Sequence, residues 1–490
     1  MSVSTPEPVR HLIAGQWRPG SGEELTSRNP ARPDVVVAAG GSATAADLDA
    51  AVDAARTAQP GWASTPIHQR GGVLLAAAEV IDRNARQWGR DLAVEEGKTL
   101  AEGIGEVRRA AQIFRYYGNE GDRQAGDVYA SPRAGEQILV TRKPVGTIGV
   151  ITPFNFPIAI PAWKIAPALV HGNTVVWKPA GTVPLLAMHL ATALHAAGLP
   201  AGVLNLVIGD FELGDGIVNH PGIDAVTFTG STVAGRRVAA AAAGRGVPAQ
   251  CEMGGKNAAV VLDDADIALA LEQVMLGAFR SSGQKCTATS RLILTDGIAE
   301  RFLGSLAERA GALNVGDPTD EDTQMGPVIT ASAHATITTG IATAVAQGAA
   351  VLAGGVPYGD DERAGGYFIA PTVLELGDGS AGIWTQELFG PVLAVRRAAD
   401  ADEAFAMAND SEFGLSAAVF TQDLSRALRA VDQLDVGVLH VNSESAGADP
   451  HVPFGGAKKS GLGPMEQGPA AREFFTHATT VYLRGGAQVG

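Results

Sequence analysis

The sequence is poor in cysteine, since only Cys251 and Cys286 occur among its 490 residues. A secreted fold of this size that is held by disulfides carries more of them, so we expect a reducing, cytoplasmic location. Basic residues are few as well: 37 Lys and Arg stand against 52 Asp and Glu, which leaves a net charge of −15. Nucleic-acid backbones bind basic surfaces, and this balance argues against a nucleic-acid partner.

Apolar runs of membrane-spanning length are missing too. The richest run, Val73 to Ile81, is short and alanine-rich, and it is typical of one face of a helix. The N-terminal segment lacks the basic start and apolar stretch of a secretory signal, so no membrane contact is expected. Hydrophobic residues still make up 46% of the chain, which at this length suits two or three globular domains.

Helical patterns occupy the first part of the chain after a short leader. Thr44 and Asp47 have the spacing of a capping box, which predicts a helix start, and Pro60-Gly61 predicts the end of that helix. Periodicity further predicts helices at 73–92 and 102–117 and short strands at 137–141 and 147–152.

From residue 147 onward, short apolar strands alternate with helices, which is typical of parallel sheets covered on both faces. The alternation runs to about residue 262 and begins again after Asn257, so we predict two α/β blocks with a cleft between them. A C-terminal strand at 479–483 could pair with the early hairpin of a neighbouring subunit. The predicted strands of the blocks are 174–178, 203–208, 225–229, 257–262 and 291–294. The predicted helices are 183–197 and one that follows the strand at 257–262 and ends at Arg280.

Cys286 follows a predicted helix in the segment Ser282-Gly283-Gln284-Lys285-Cys286. Its glycine and small polar neighbours suit an exposed loop, and Lys285 would favour the thiolate, so Cys286 is a candidate nucleophile toward a carbonyl carbon. The alternative is a small buried hydrophobic residue, which is the usual state of a free cysteine.

Glu252 lies at the end of the first α/β block, in Glu252-Met253-Gly254-Gly255-Lys256. A carboxylate at the carboxyl end of a parallel strand faces the ligand crevice and can activate water if its pKa is raised. The alternative is a turn glutamate that pairs with Lys256. By strand alternation Cys251 should face the other way, into the core.

Asn155 stands between two phenylalanines and two prolines in Pro153-Phe154-Asn155-Phe156-Pro157. The prolines make the backbone rigid, so the amide is a candidate donor to a developing oxyanion. A turn in which Asn155 caps the next helix is the alternative.

Two further segments are candidates for a phosphate-containing ligand. Gly230 and Ser231 open a helix directly after a strand, where free N–H groups suit a pyrophosphate. Lys178 ends the neighbouring strand, within reach of a ribose or a 2′-phosphate. A G-x-G-x-x-G pattern at 377–382 precedes no helix and is predicted to be a surface loop.

In this order, the motifs resemble those of the aldehyde dehydrogenase superfamily, and the likeness extends over nearly the whole chain. It is carried by Pro153 to Pro157, Trp177-Lys178-Pro179, Phe228 to Ser231, Glu252 to Lys256, Gly283 to Cys286, Glu387 to Pro391 and Pro453 to Gly456.

The resemblance implies a mechanism. Cys286 attacks an aldehyde to form a thiohemiacetal, Asn155 and the Cys286 N–H hold the oxyanion, and a hydride passes to a nicotinamide. Glu252 then activates the water that releases the acid from the thioester. Of the cofactor residues, Lys178 would contact the adenosine ribose, Ser231 the pyrophosphate and Glu387 the nicotinamide ribose. The full implied set is Thr152, Pro153, Lys178, Gly230, Ser231, Glu387 and Phe389 for the cofactor and Arg280, Phe156 and Trp163 for the substrate.

The resemblance also implies an architecture of two Rossmann-like parallel-sheet domains and a small β oligomerisation flap, in a homodimer or homotetramer. The cofactor domain would comprise 1–128 and 147–256, the catalytic domain 257–450, and the flap 129–146 and 470–490. No metal site is expected, because the histidines are scattered and the cysteines do not pair.

Two departures from the family pattern bear on specificity. NAD-preferring members often have a glutamate three residues after the lysine; here that residue is Gly181, so NADP should at least rival NAD. Arg280 matches an arginine that binds the distal carboxylate in succinate-semialdehyde dehydrogenases, although the second arginine of that class aligns with Trp163. The ending around Glu466 is similar to that of 2-oxoglutarate-semialdehyde dehydrogenases, which favours a short ω-oxo acid. Arg280 could equally be a cation at a helix end.

Several rival functions remain open. Within the family they are a broad-specificity aliphatic or aromatic aldehyde dehydrogenase, and a coenzyme-A-acylating enzyme, against which Glu252 argues. Outside it they are a non-redox cysteine hydrolase, which would need a histidine near Cys286, and an inactive binding protein.

Overall fold

The computed structural model describes residues 5–359, 362–377 and 382–486. Up to residue 118 it holds strands β1 (Glu7–Pro8), β2 (His11–Ile13), β3 (Gln16–Arg18), β4 (Glu24–Asn29) and β5 (Arg32–Gly41) and helices α1 (Ala45–Ser64), α2 (Ile67–Arg83), α3 (Ala85–Glu96) and α4 (Leu100–Gly118). Residues 127–252 form β6 (Asp127–Tyr129), β7 (Glu136–Pro144), β8 (Thr147–Ile151), α5 (Ala159–Val170), β9 (Thr174–Lys178), α6 (Pro184–Ala196), β10 (Leu204–Leu206), α7 (Phe211–Asn219), β11 (Ala225–Thr229), α8 (Thr232–Arg245) and β12 (Ala249–Glu252).

The second half begins a new alternation of strands and helices. It contains β13 (Asn257–Val261), α9 (Ile267–Phe279), β14 (Thr289–Thr295), α10 (Asp296–Gly311), α11 (Ala331–Ala346), β15 (Ala350–Ala353), β16 (Thr372–Glu375), β17 (Val392–Ala398), α12 (Ala401–Asn409), β18 (Phe413–Gly414), β19 (Ser416–Phe420), α13 (Leu424–Gln433), β20 (Val438–Val441), β21 (Ala457–Lys458), β22 (Gly461–Leu462), α14 (Ala471–Phe475) and β23 (Thr476–Arg484).

The N-terminal part differs from the sequence prediction in three ways. The leader forms the strands β1 to β5. Helix α1 begins at the predicted capping box but continues through Pro60-Gly61 to Ser64, because Trp62 is buried and its indole N–H donates to the carbonyl of Leu169 at 2.9 Å. Tertiary packing thus overrides the local stop signal. The predicted helix 73–92 is two helices that break at Asn84, whose side chain donates to the carbonyl of Val80.

The first large sheet has eight strands in the order β22-β12-β11-β8-β9-β10-β2-β3. Strands β12, β11, β8, β9 and β10 run parallel, and their fully buried faces explain the continuous apolar runs in the sequence. Their register sets Ile151 beside Lys178 and Thr229 beside Glu252 at the carboxyl ends. Candidate residues from distant parts of the chain therefore meet at one edge of the sheet.

The second large sheet has seven strands in the order β15-β16-β17-β14-β13-β19-β20, and all of its pairs are parallel except β15 with β16. The predicted α/β class with two parallel-sheet blocks is confirmed. The domain boundaries given above stay a prediction.

A third sheet, β23-β7-β6, corresponds to the expected flap. Strand β23 pairs antiparallel with β7 of its own chain over its whole length, from Thr476 opposite Pro144 to Arg484 opposite Glu136. The expectation that this strand pairs with a neighbouring subunit's hairpin is therefore wrong. Of the predicted surface loop at 377–382, residues 378–381 lie outside the described residues. None of the described helices is long and apolar enough to cross a membrane.

Candidate active site

The loop that carries Cys286 has an unusual backbone. After α9 ends at Phe279, the residues Ser281, Ser282 and Gly283 all have positive φ, at 54°, 53° and 68°. A Cβ on Gly283 would lie 2.2 Å from the carbonyl oxygen of Gly390, so this position requires glycine for its space as well as its backbone. The loop ends at Cys286, which is partly buried and lines a cavity.

Burial, and next the carboxylate of Glu252, raise the pKa of the Cys286 thiol to about 12. Lys285 does not oppose this shift, because its ammonium donates to the carbonyl of Leu276 at 3.1 Å and lies 3.6 Å from Glu444. The expectation that Lys285 favours the thiolate is therefore wrong. The prediction that Cys251 is a core residue is confirmed, since it is fully buried.

Glu252 ends β12 and is 5% exposed. Burial, followed by the charge of Glu466, raises the pKa of its carboxyl well above the ordinary value. Its Oε2 has no hydrogen-bond partner among the described residues, and it forms no ion pair with Lys256 there. The alternative of a turn glutamate paired with Lys256 is contradicted, and a buried carboxyl oxygen is left free to accept a proton.

A buried polar cluster lies behind Glu252. Glu466 accepts the indole N–H of Trp163 at 2.7 Å and forms an ion pair with Lys164, whose ammonium also donates to Thr227. Trp163 was predicted as a substrate residue, but Lys164 was not predicted, because a lysine inside an apolar helix gives no local signal of its partner 302 residues away.

Asn155 is fixed at both ends. Its side-chain amide donates to the carbonyl of Gln284 at 3.0 Å, and its own carbonyl accepts from the ammonium of Lys98. It does not cap α5, which begins at Ala159 without a side-chain cap, so the capping alternative is wrong. The amide is held beside the Cys286 loop with one of its two N–H groups already engaged.

Helix α4 contacts both loops of the site. Glu102 accepts the backbone N–H of Ser281 at 2.8 Å, ahead of Cys286. One turn later, Glu106 accepts the N–H groups of Ile158 and Ala159 at the start of α5 and pairs with Lys98 at 2.7 Å. The spacing of these glutamates is visible in the sequence, but it is equally typical of a solvated helix face.

The cavity beside Cys286 has a volume of about 370 Å³. It brings together the three predicted substrate residues Phe156, Trp163 and Arg280 with Cys286. The guanidinium of Arg280 lies 3.3 Å from Glu444 and 3.7 Å from Glu102. Arg109, which the sequence did not predict, also lines this cavity. In the described ranges, no group of three or more His, Cys, Asp or Glu side chains is arranged to hold a metal ion.

A second cavity of about 540 Å³ opens at the carboxyl ends of the parallel strands, where open α/β sheets bind ligands. Lys178 and Gly181 line it, and burial lowers the pKa of Lys178 to about 8. The remaining charged groups on this cavity are Glu23, Glu24, Asp210, Asp215 and Arg237.

The turn between β11 and α8 lies near this second cavity. The N–H of Gly230 is not free, because it donates to the carbonyl of Glu252 at 3.1 Å, and Ser231 caps α8 by accepting from Ala234. The buried hydroxyls of Thr229 and Thr232, however, have no partner among the described residues. Unpaired buried hydroxyls at a helix N-terminus fit a phosphate-containing cofactor.

The remaining predicted cofactor residues are Glu387, Phe389, Thr152 and Pro153. Glu387 accepts the N–H of Gly255 at 3.0 Å, and burial raises its pKa to about 7. Phe389 has a φ of 56° and packs edge-to-face with Phe154. Thr152, next to Pro153, accepts the indole N–H of Trp177 at 2.9 Å.

Comparisons with known proteins place the chain. Residues 17–481 match the model of the aldehyde dehydrogenase family. The chain is 41% identical over 487 residues to the alpha-ketoglutaric semialdehyde dehydrogenase of Bacillus subtilis, covering 99% of this chain and 100% of that one. It is 41% identical to the alpha-ketoglutarate semialdehyde dehydrogenase of Haloferax volcanii, covering 97% and 99%. A crystal structure of betaine aldehyde dehydrogenase from Staphylococcus aureus in complex with NAD⁺ superposes with a TM-score of 0.94 at 31% identity, covering 97% and 95%.

The family match covers nearly the whole chain, and the relatives align over their full lengths. The resemblance inferred from the motifs is confirmed, and this chain belongs to the aldehyde dehydrogenase family and is an oxidoreductase.

Proposed function

We propose that the protein oxidises a short ω-oxo acid, such as 2-oxoglutarate semialdehyde, to the corresponding dicarboxylate with NAD or NADP. The observation that carries this proposal is the cavity in which Cys286 lies with Arg280 and Trp163, against the loop of Asn155. The names of the relatives from Bacillus subtilis and Haloferax volcanii support the substrate.

In the first step the sulfur of Cys286 adds to the aldehyde carbon. The second N–H of the Asn155 amide and the backbone N–H of Cys286 donate to the oxygen that becomes negative. Because burial disfavours the thiolate, the proton of Cys286 must leave to solvent as the sulfur attacks, which keeps the free Oε2 of Glu252 available for the later hydrolysis.

A bound nicotinamide supplies the hydride acceptor. Lys178 and Gly181 of the second cavity would hold the adenosine end of such a cofactor, and Gly230 and Ser231 its pyrophosphate. Glu387, Phe389, Thr152 and Pro153 would hold its nicotinamide end. The chain's own task after oxidation is to hydrolyse the thioester on Cys286. Glu252 accepts a proton from the attacking water, and its raised pKa makes the carboxylate a stronger base than an exposed one.

The choice between NAD and NADP depends on the charges of the adenosine cavity. Gly181 leaves no carboxylate next to Lys178, which favours acceptance of a 2′-phosphate. Four carboxylates, Glu23, Glu24, Asp210 and Asp215, line the same cavity and oppose it. We propose that both cofactors are used.

The rival functions differ in their products. A coenzyme-A-acylating enzyme has no use for Glu252 as a base for water, and a cysteine hydrolase needs a histidine, whereas none of the described residues that line the cavity is a histidine. A broad-specificity aldehyde dehydrogenase differs only in its substrate range.

We further propose a cytoplasmic homodimer or homotetramer. The two free cysteines suit a reducing compartment. Strand β23 exposes Tyr482 and Leu483, whose apolar side chains are available to another subunit.

The test is to follow reduced-nicotinamide absorbance with the purified protein, a panel of aldehydes and both cofactors. We expect kcat/KM to be highest for ω-oxo acids and product formation to be independent of coenzyme A. Cys286→Ser should abolish activity. A wild-type protein that oxidises uncharged aldehydes of equal length as efficiently would exclude the proposed substrate class.

A further inference from the structure

The charged groups of the substrate cavity do not balance. Its lining contains four cations against three carboxylates, in a chain with a net charge of −15. The carboxylates are Glu102, Glu106 and Glu444, and the cations are Lys98, Arg109, Arg280 and Lys285. A local excess of positive charge in an acidic protein raises the local concentration of anionic ligands.

Three of the four cations are already committed to carboxylates of the cavity. Lys98 pairs with Glu106 at 2.7 Å and is almost completely buried. Arg280 lies between Glu102 and Glu444, at 3.7 and 3.3 Å, and Lys285 shares Glu444 at 3.6 Å. Glu102 of α4 holds the Cys286 loop through Arg280 and the N–H of Ser281. A substrate carboxylate bound at Arg280 would bring three negative charges together, those of the ligand, Glu102 and Glu444.

Arg109 is different. Its only carboxylate partner among the described residues is Asp449, at 2.9 Å, which does not line the cavity and is 58% exposed. An exposed ion pair contributes about 0–1 kcal/mol, so a substrate carboxylate can replace or share it at little cost. Arg109 is two helical turns beyond Glu102 on the same side of α4.

The part of the cavity wall that precedes Asp449 in the chain leaves room for such a ligand. It is formed by Ala446, Gly447 and Ala448, which are small residues that line the same cavity as Arg109. We propose that Arg109 binds the distal carboxylate of the substrate, while Arg280 positions the Cys286 loop through Glu102 and Glu444. This inference rests on the proposed oxidation of an ω-oxo acid, and it names the residue that recognises its charge.

The experiment measures one ratio: kcat/KM for succinic semialdehyde divided by kcat/KM for butanal, which has the same carbon chain without the charge. The variants are Arg109→Met, Arg280→Met and Asp449→Asn. Arg108→Met is the matched control, because Arg108 is the adjacent, exposed arginine of the same helix and does not line the cavity.

We expect Arg109→Met to lower the ratio about tenfold, the loss of one charge-assisted hydrogen bond, and to weaken competitive inhibition by glutarate by a similar factor. Arg108→Met should leave the ratio unchanged, and Asp449→Asn should raise it. Arg280→Met should lower kcat for both aldehydes and leave the ratio nearly intact.

Two results would overturn the inference, and they have different meanings. A wild-type ratio near one removes the substrate class itself, while aldehyde oxidation would still be measured. A high wild-type ratio that Arg109→Met preserves and Arg280→Met abolishes keeps the proposed function and assigns the carboxylate to Arg280.

Discussion

Lys98, just before α4, and Glu106, within α4, form an ion pair 2.7 Å long beside the Asn155 loop, and their side chains are only 2% and 3% exposed. The pair binds both ends of the turn from Asn155 to Ala159. Lys98 donates to the carbonyl of Asn155, and the other oxygen of Glu106 accepts the N–H groups of Ile158 and Ala159. This charge pair thus fixes the segment that carries Asn155, the proposed donor to the oxyanion.

Substituting one partner of this pair should destabilise the fold strongly. Lys98→Met leaves the charge of Glu106 buried and uncompensated, for which we expect a loss of about 3–5 kcal/mol in the free energy of unfolding. Urea denaturation measures it. The control is Arg115→Met on the same helix, since Arg115 forms an exposed pair with Asp82 that should cost less than about 1 kcal/mol.

The double variant Lys98→Met/Glu106→Gln separates positioning from stability. Removing both charges should recover part of the stability, but the Asn155 carbonyl loses its anchor, so hydride transfer should slow by about tenfold or more. Rapid mixing of enzyme, cofactor and aldehyde measures that step. Alkylation of Cys286 by iodoacetamide should be unchanged, because it forms no oxyanion. Hydride transfer at the wild-type rate would show that the pair has only a structural role.

The sequence predicted the parts of the fold that depend on local pattern. Strands β9 and β11 agree with their predicted bounds to the residue, because each is a short apolar run that ends at a polar group. The segments that carry Cys286, Glu252 and Asn155 could also be recognised, because their residue types suit the chemistry.

What could not be predicted depends on contacts between distant parts of the chain. Lys98 and Arg109 lie on or beside a helix whose charges resemble an ordinary solvated face, and only the fold shows that this face borders a cavity. The direction of the Lys285 side chain was misjudged for the same reason, because the carbonyl that holds it belongs to α9. Strand β2 has only three residues, and its Leu12 pairs with Leu206 of β10, a partner that is distant in the sequence.

Glu252 should control the release of the acid and not the hydride step. Because burial raises the pKa of its carboxyl, the group is protonated at low pH and becomes an effective base only as the pH rises through that raised pKa. We therefore expect turnover limited by thioester hydrolysis to increase with pH. Glu252→Gln should reduce steady-state turnover by about 10²–10⁴ while a burst of reduced nicotinamide remains. Quenched-flow measurement across pH gives both quantities, and a flat wild-type profile would contradict the assignment.

Gly283 should tolerate no side chain. Its φ is 68°, and a Cβ there would meet the carbonyl of Gly390 at 2.2 Å, so Gly283→Ala must displace the Cys286 loop. We expect a loss of at least about 1–3 kcal/mol in stability and a strong fall in kcat. Gly244→Ala is the control, since Gly244 lies in α8 and its Cβ position has no atom nearby. This variant should be slightly more stable than the wild type. Thermal unfolding and initial rates decide the comparison.

Gly181 should determine how well the 2′-phosphate of NADP is accepted. A Cβ at this position would lie 3.2 Å from the side chain of Leu25, which lines the same cavity, so a longer residue fits if Leu25 shifts slightly. A carboxylate introduced there would lie near Lys178 and repel a 2′-phosphate, and it could accept hydrogen bonds from the ribose hydroxyls of NAD. For Gly181→Glu we expect the Kd for NADP⁺ to rise at least about tenfold, or about 1.4 kcal/mol, with little change for NAD⁺. Gly181→Gln has the same size without the charge and corrects for the steric part. Fluorescence titration measures binding without turnover. Equal losses of NADP⁺ affinity in the Glu and Gln variants would show that the effect comes from the size of the side chain and not from its charge.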